Sequence, residues 1–297
     1  MNGQKIGFIG IGNMGWQMAG HLARAGHAVL AYDVDAALCA RFAKEFSTRQ
    51  PAALGDLAQS SVIITMLPNG AVVRQALTEG GEASLANTLA PGSVLLDTTS
   101  SVPDGTRELG ALLAKRGIGM VDAPVSGGRV GAVDADLVFM IGTNDEWALE
   151  RVKPILSVMG KRMFRLGPLG AGHVMKSMNN FVSGAAYAAS CEAFIIGQRY
   201  GLDLQAMLDV LNVSTGRNFS TERTMHRIVK RTFDDTFKLG LFTKDLKIAA
   251  DIANAAGVAA PISHLVHEWM AEARDALGGE GGHTTAYKYW EKKGAGG

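Results

Sequence analysis

The chain has 297 residues, 47% of them apolar, which is enough for two packed domains or one large one. Lys and Arg number 29 against 28 Asp and Glu, with no basic cluster, which argues against nucleic acid or an anionic membrane as the main partner. Cys39 and Cys191 stand far apart without metal-ligand spacing, so the expectation is a reducing compartment, free thiols and no metal site.

Ile6-Gly7-Phe8-Ile9 reads as a buried strand. It begins so close to Met1 that no signal peptide fits ahead of it, and the expected location is the cytoplasm. Gly10-Ile11-Gly12-Asn13-Met14-Gly15 follows, then a helical pattern to Gly26 and a second apolar run that ends at Asp33. Strand, glycine-rich turn, helix and strand with a terminal acid is the order a dinucleotide-binding unit requires. Gly10 permits the tight turn, Gly12 lets backbone amides approach a pyrophosphate, and Gly15 lets the helix pack close to its strand. The helix N-terminus offers unsatisfied N–H groups to the phosphates. Asp33, eighteen residues past Gly15, is placed to accept from the ribose hydroxyls and to repel a 2′-phosphate. Val34 and Asp35 follow it, with no Arg or Lys to receive a phosphate, so NAD is expected over NADP.

Further buried strands are expected over 61–66, 93–96, 119–121 and 137–141, with helical patterns between them, for instance over 104–115. The run 93–96 ends in Asp97-Thr98-Thr99-Ser100 and the run 119–121 in Asp122-Ala123-Pro124-Val125-Ser126-Gly127-Gly128, so polar motifs sit at strand ends. Repeated strand–helix units imply an α/β fold, a Rossmann-type, doubly wound, mostly parallel sheet with its ligand crevice at the carboxyl ends of the strands. After about residue 167 the pattern is helical, with breaks near Gly201, 214–216 and 257–261. The expected division is a dinucleotide-binding domain over 1–166 and an all-α substrate and oligomerisation domain over 167–297. The run 181–197 is apolar, but Ser183, Ser190, Glu192 and many small residues favour a closely packed helix over a membrane span. The glycine-rich tail, 278–282 and 294–297, is expected to be loosely ordered at its end.

Gly170-Ala171-Gly172-His173-Val174-Met175-Lys176-Ser177-Met178-Asn179-Asn180 opens the helical part. On a helix Lys176 shares a face with His173, Asn179 and Asn180, and Ser183 extends the stripe. Amide neighbours and apolar flanks describe a polar patch in a packed helix, where desolvation lowers a lysine pKa toward the range useful for proton transfer. The Ser126-Gly127-Gly128 turn exposes successive backbone N–H groups that suit a carboxylate, although an ordinary tight turn has the same sequence. Lys244-Asp245, taken alone, reads as surface charge.

Five segments together resemble the β-hydroxyacid dehydrogenase family, which includes 3-hydroxyisobutyrate dehydrogenase and tartronate semialdehyde reductase. They are 7–15, Met66-Leu67-Pro68-Asn69, 122–128, 170–180 and Lys244-Asp245-Leu246, in the family's order across nearly the whole chain. The resemblance implies an NAD-dependent transfer of hydride between nicotinamide and a small 3-hydroxy acid or its semialdehyde. It gives Lys176 the role of general acid–base with Asn180 beside it, and makes Asn179, Ser126, Gly127 and Gly128 substrate contacts. Gly10, Ile11, Gly12, Asn13, Met14, Gly15, Asp33, Leu67, Pro68, Asn69, Thr99, Ser100 and Lys244 become cofactor contacts, Lys244 near the nicotinamide with Asp245 as its neighbour. A homodimer or homotetramer is implied as well.

The chain departs from the family pattern in two places. Ala135-Asp136-Leu137 stands where Gly-Thr-Leu is usual, and Asp97-Thr98-Thr99-Ser100 where Asp-x-Ser-Thr is usual. Asp136 bears on the charge of the cleft, and Arg129 and Arg217 are candidates for a second acidic group on the substrate, against a plain surface role for each. Three other readings stand beside the dehydrogenase: a tartronate or other short-chain semialdehyde reductase, an imine reductase, and a non-catalytic NAD-binding scaffold. Lys176 weighs against the last two.

Overall fold

The computed structural model describes residues 4–235 and 237–295. It divides into two compact units, Met1–Lys176 and Ser177–Gly297. The first contains β1 (Lys5–Ile9), α1 (Gly15–Arg24), β2 (Ala28–Tyr32), α2 (Ala36–Phe46), β3 (Val62–Thr65), α3 (Gly70–Thr78), α4 (Leu85–Thr88) and β4 (Val94–Asp97). It continues with α5 (Pro103–Ala114), β5 (Gly119–Asp122), β6 (Val125–Ser126), α6 (Gly128–Val133), β7 (Leu137–Gly142), α7 (Glu146–Met159), β8 (Gly160–Gly167) and the first turns of α8 (Ala171–Arg199).

Strands β1 to β5 pair in parallel, and the sheet runs β2-β1-β3-β4-β5-β7-β6 with β8 on β7. Every residue of β3, β4 and β5 is buried, which is why these strands read as unbroken apolar runs: helices cover both faces. β7 runs antiparallel to β5 and β6 and parallel to β8. The chain moves outward from β1 to β2 and returns on the other side at β3, so the order reverses there and opens a crevice at the carboxyl ends. α1 is fixed on α2 by Trp16 set edge-on against Phe42 at 5.3 Å and Phe46 at 5.9 Å. The mostly parallel, doubly wound sheet expected from the sequence is present. Two strands the sequence reading lacked, β6 and β8, extend it.

The second unit holds the rest of α8, then α9 (Leu204–Val213), α10 (Phe219–Arg223), α11 (Met225–Val229), α12 (Leu239–Ala255), α13 (Pro261–Leu277) and α14 (Ala286–Ala295). Its core joins Tyr187, Cys191 and Phe194 of α8 to Phe242, Leu246, Met270, Tyr287 and Trp290. The apolar run 181–197 is thus a packed helix, and among the described residues no helix is long and apolar enough to cross a membrane.

The 278–282 stretch is tied down. Leu239 N–H donates to Gly281 O at 2.8 Å and Gly240 N–H to Gly279 O at 3.0 Å. Asp235 anchors the same region through the His283 and Thr284 N–H groups, both at 3.1 Å, the His283 ring at 2.7 Å and the Thr284 hydroxyl. Gly296 and Gly297 lie outside the described residues.

Candidate active site

The glycine-rich turn is built by backbone contacts that leave no space for side chains at two positions. Gly10 has φ +92°, and a Cβ there meets Met66 O at 2.4 Å. A Cβ on Gly15 meets Gly10 O at 1.9 Å. At Gly12, in contrast, an added Cβ meets nothing within 4 Å, so that glycine faces open space rather than packing. Among the described residues α1 begins beside it with no side-chain cap and no acid in its first turn, so no carboxylate competes there with an anion, although Trp16 and Gln17 N–H already donate to Gly12 O and Met14 O at 2.9 and 3.1 Å. Asp33, at the end of β2, takes the Ile11 N–H on Oδ2 at 3.0 Å and the Asp35 N–H on Oδ1 at 3.2 Å. The acid therefore holds the turn in shape. Open space, a helix start without a competing acid and a carboxylate at the strand end fit a dinucleotide with free ribose hydroxyls.

Next along the crevice, Leu67 N–H donates to Thr99 Oγ1 at 3.1 Å, joining the segments after β3 and β4. Asn69 caps α3 by accepting from Val72 N–H at 3.0 Å. Below Thr99 lies a set of buried ionisable groups that sequence reasoning did not recognise. Asp97 and Asp122 face each other across the paired ends of β4 and β5. His173, with no exposed surface, has Nε2 3.7 Å from Asp97 Oδ2 and Nδ1 3.8 Å from Asp122 Oδ2. Burial pushes the Asp122 carboxyl above the usual carboxylate range, against the pull of His173 and of the Gly170 and His173 N–H groups. No periodicity or spacing marks this cluster, because its members meet only when two strand ends and a helix start are brought together.

α8 carries Lys176, partly buried, one turn beyond His173. Ser126 is partly buried, and Gly127 and Gly128 are exposed in left-handed conformations, φ +123° and +58°, at the entry to α6. Arg129 follows on the surface. Asp136 faces Lys161 at 3.5 Å and Arg217 faces Glu222 at 3.6 Å, so both have exposed ion partners of small energetic weight.

Within the second unit the Lys244-Asp245 pair is not surface charge. Asp245 is 4% exposed. Its Oδ2 takes the Asn180 side-chain N–H at 2.6 Å and its Oδ1 faces Lys244 Nζ at 2.9 Å. Asn179 in turn donates to Asn180 Oδ1 at 3.2 Å. Asp245 thereby fixes which way the Asn180 amide is turned.

A doubly wound nucleotide unit with this turn and acid, followed by a helical unit entered through a lysine-bearing helix, defines a class: NAD-binding oxidoreductases. The family model described as the NAD binding domain of 6-phosphogluconate dehydrogenase matches residues 5–167. The one described as NAD-binding of NADP-dependent 3-hydroxyisobutyrate dehydrogenase matches 170–290. The chain is 33% identical over 294 residues to 2-(hydroxymethyl)glutarate dehydrogenase of Eubacterium barkeri, covering 97% of this chain and 95% of that one. It is 32% identical to an NAD-dependent L-serine dehydrogenase of Pseudomonas aeruginosa, over 88% of this chain and 89% of the other. A solved Mycobacterium tuberculosis 3-hydroxyisobutyrate dehydrogenase with L-serine superposes with TM-score 0.87 at 30% identity, over 97% of this chain and 99% of that one. The chain belongs to the 3-hydroxyisobutyrate dehydrogenase family, and it is an NAD-dependent hydroxyacid dehydrogenase.

Proposed function

We propose that the chain oxidises a small 3-hydroxy acid, or reduces the matching semialdehyde, with Lys176 as general acid–base and NAD preferred over NADP. The observation that carries the reading is Lys176 on the entry helix, one turn from Asn180 on the same face, in a chain that otherwise fits the family throughout. Bound NAD supplies the hydride acceptor. In oxidation the neutral Lys176 amine takes the hydroxyl proton while the carbinol C–H bond breaks. In reduction its ammonium returns that proton to the carbonyl oxygen. Proton transfer from a placed group is worth ~10²–10⁴-fold in rate.

Asn180, oriented by Asp245, holds the reacting oxygen beside the lysine, and Asn179 adds a substrate contact. Ser126, Gly127 and Gly128 hold the carboxylate with a hydroxyl and backbone N–H groups. Gly10 to Gly15 and Asp33 hold the pyrophosphate and adenosine ribose. Leu67, Pro68, Asn69, Thr99, Ser100 and Lys244 are the remaining cofactor contacts. Asp33 supports the NAD preference, since a 2′-phosphate beside its carboxylate meets like charge.

The substrate class is a hydroxy acid whose carbinol is β to its carboxylate. The relatives' names, hydroxymethylglutarate, 3-hydroxyisobutyrate and L-serine dehydrogenase, share that unit. Arg129 and Arg217 are the candidates to favour a second acidic group, Arg129 by following the Ser126-Gly127-Gly128 turn directly. The functional division stays at 1–166 and 167–297. A cytoplasmic homo-oligomer completes the proposal, supported by two buried free thiols and by exposed Val182, Val210, Val213, Phe219, Ile262 and Leu265 on the helical unit.

The test is a reduced-nicotinamide absorbance assay of 3-hydroxyisobutyrate, L-serine and 2-(hydroxymethyl)glutarate with NAD and with NADP. Turnover of at least one acid, faster with NAD, is expected. Faster turnover with NADP refutes the role of Asp33. NADH binding without turnover of any acid or semialdehyde refutes the catalytic reading.

A further inference from the structure

Asp97, Asp122 and His173 are 1%, 0% and 0% exposed, and the mechanism above leaves them without a task. Burying two carboxylates costs several kcal/mol each unless hydrogen bonds and charge offset it. Here the offsetting partners all belong to segments that frame the site. Asp97 Oδ1 accepts the Thr65 hydroxyl at 2.8 Å and the Thr99 N–H at 3.0 Å. Its Oδ2 lies 3.5 Å from the Ser101 hydroxyl. Asp122 Oδ1 accepts the Gly170 N–H at 2.7 Å and Oδ2 the His173 N–H at 2.9 Å, which caps the start of α8.

The His173 ring lies between these carboxylates, with Nδ1 2.8 Å from the Thr106 hydroxyl of α5. That hydroxyl also lies 3.2 Å from Val102 O, and it has one proton. When the proton goes to Val102 O, Nδ1 is the donor to Thr106. Glycine lets the helix approach this closely, since a Cβ on Gly172 meets Met140 O at 2.1 Å. The first turn of α8 is therefore gripped by β4, β5, β7 and α5 together.

We propose that His173 is the positioning residue for Lys176: wedged between Asp97 and Asp122, its ring locks the first turn of α8 to the ends of β4 and β5. Lys176 follows by three residues, about 4.5 Å of helix rise, so what fixes His173 fixes the base of the lysine. The same Asp97 carboxylate holds Thr99, so the lysine helix and a proposed cofactor-lining loop share one anchor. Misplacement by about 1 Å at a reacting centre costs on the order of 10²-fold in rate. The inference rests on the reading of Lys176 as the acid–base.

The experiment compares His173→Leu, His173→Gln and Thr106→Val with wild type, and with Lys176→Ala in parallel. It measures kcat and KM on L-serine or 3-hydroxyisobutyrate with NAD, NADH affinity, and amide hydrogen exchange over peptides covering 169–178. Expected for H173L is a fall in kcat of about 10- to 100-fold with KM and NADH affinity within about twofold, and faster exchange confined to 169–178. H173Q, which keeps a donor and an acceptor, recovers most of the loss, and T106V shows a smaller fall of the same kind. H173L with kcat and exchange unchanged overturns the inference. So does a parallel loss of kcat and NADH affinity that H173Q does not repair. If H173L does not fold, T106V decides by the same measures, and if neither acid is turned over, exchange over 169–178 decides. A fully active K176A sinks the reading of Lys176 itself, whereas an inactive K176A beside a normal H173L sinks only the positioning role.

Discussion

Gly172→Ala is a one-carbon change whose effect follows from the packing of α8. The added methyl sits 2.1 Å from Met140 O and 2.7 Å from Asp122 Oδ2. Neither neighbour yields easily, because one is backbone of β7 and the other belongs to a carboxylate that accepts one amide on each oxygen. The helix start must retreat by about 1 Å to reach even a tight carbon–oxygen contact. That retreat stretches the Gly170 and His173 N–H bonds to Asp122, now 2.7 and 2.9 Å. Hydrogen bonds to a charged group are worth about 1.5–3 kcal/mol each. Weakening both outweighs the ~1 kcal/mol that alanine gains over glycine in a helix, for a net loss of about 2–4 kcal/mol. Urea unfolding of wild type and G172A, followed by circular dichroism, measures that loss, and kcat on whichever acid the nicotinamide absorbance assay shows to be turned over measures the displacement. A fall in kcat of roughly 10²-fold is expected. A G172A protein as stable and as fast as wild type refutes the packing argument.

Lys176→Ala is expected to leave NADH affinity within about twofold while kcat falls ~10²–10⁴-fold, read by fluorescence titration and steady-state kinetics. Asp33→Ala removes the acceptor for Ile11 N–H and for the ribose; NAD affinity is expected to drop about 10- to 100-fold, the equivalent of ~1.5–3 kcal/mol, with NADPH less affected. Asp235 is pushed up by burial, but the His283 ring and the Thr284 hydroxyl and N–H outweigh this and hold its carboxyl below the usual range. A carboxyl lowered in the fold contributes stability above its unfolded pKa of about 3.9 and loses it as pH falls through the folded value. Asp235→Asn is therefore expected to lower the melting temperature at pH 7 by more than at pH 3, and an equal loss at both contradicts the assignment.

The nucleotide unit was legible because its signals are local. Gly10 and Gly15 are demanded by contacts with Met66 and with Gly10 itself, and Asp33 ends a strand that immediately precedes its helix. β8 was not legible. Only its first residue is fully buried, and Lys161, Arg162 and Arg165 interrupt any alternation that marks a strand. β6 is two residues long, too short for a pattern. Lys244-Asp245 looked like surface charge because sequence does not show Asn180 arriving from 65 residues away to share the carboxylate. The same holds for His173 with Asp97 and Asp122, a cluster made by the register of β4 on β5.

β8 also has a bearing on how the protein keeps to itself in a crowded solution. Among the described residues it pairs only with β7, so its other edge carries backbone groups without a strand partner in the sheet. Phe164 and Leu166, 53% and 42% exposed, lie along it and make it adhesive. Arg162 and Arg165 flank Phe164 in sequence, Arg165 in an exposed ion pair with Glu146, so charged side chains interrupt the apolar edge. These arginines act as gatekeepers. Neutralising both turns a quiet border of the sheet into a template for aggregation.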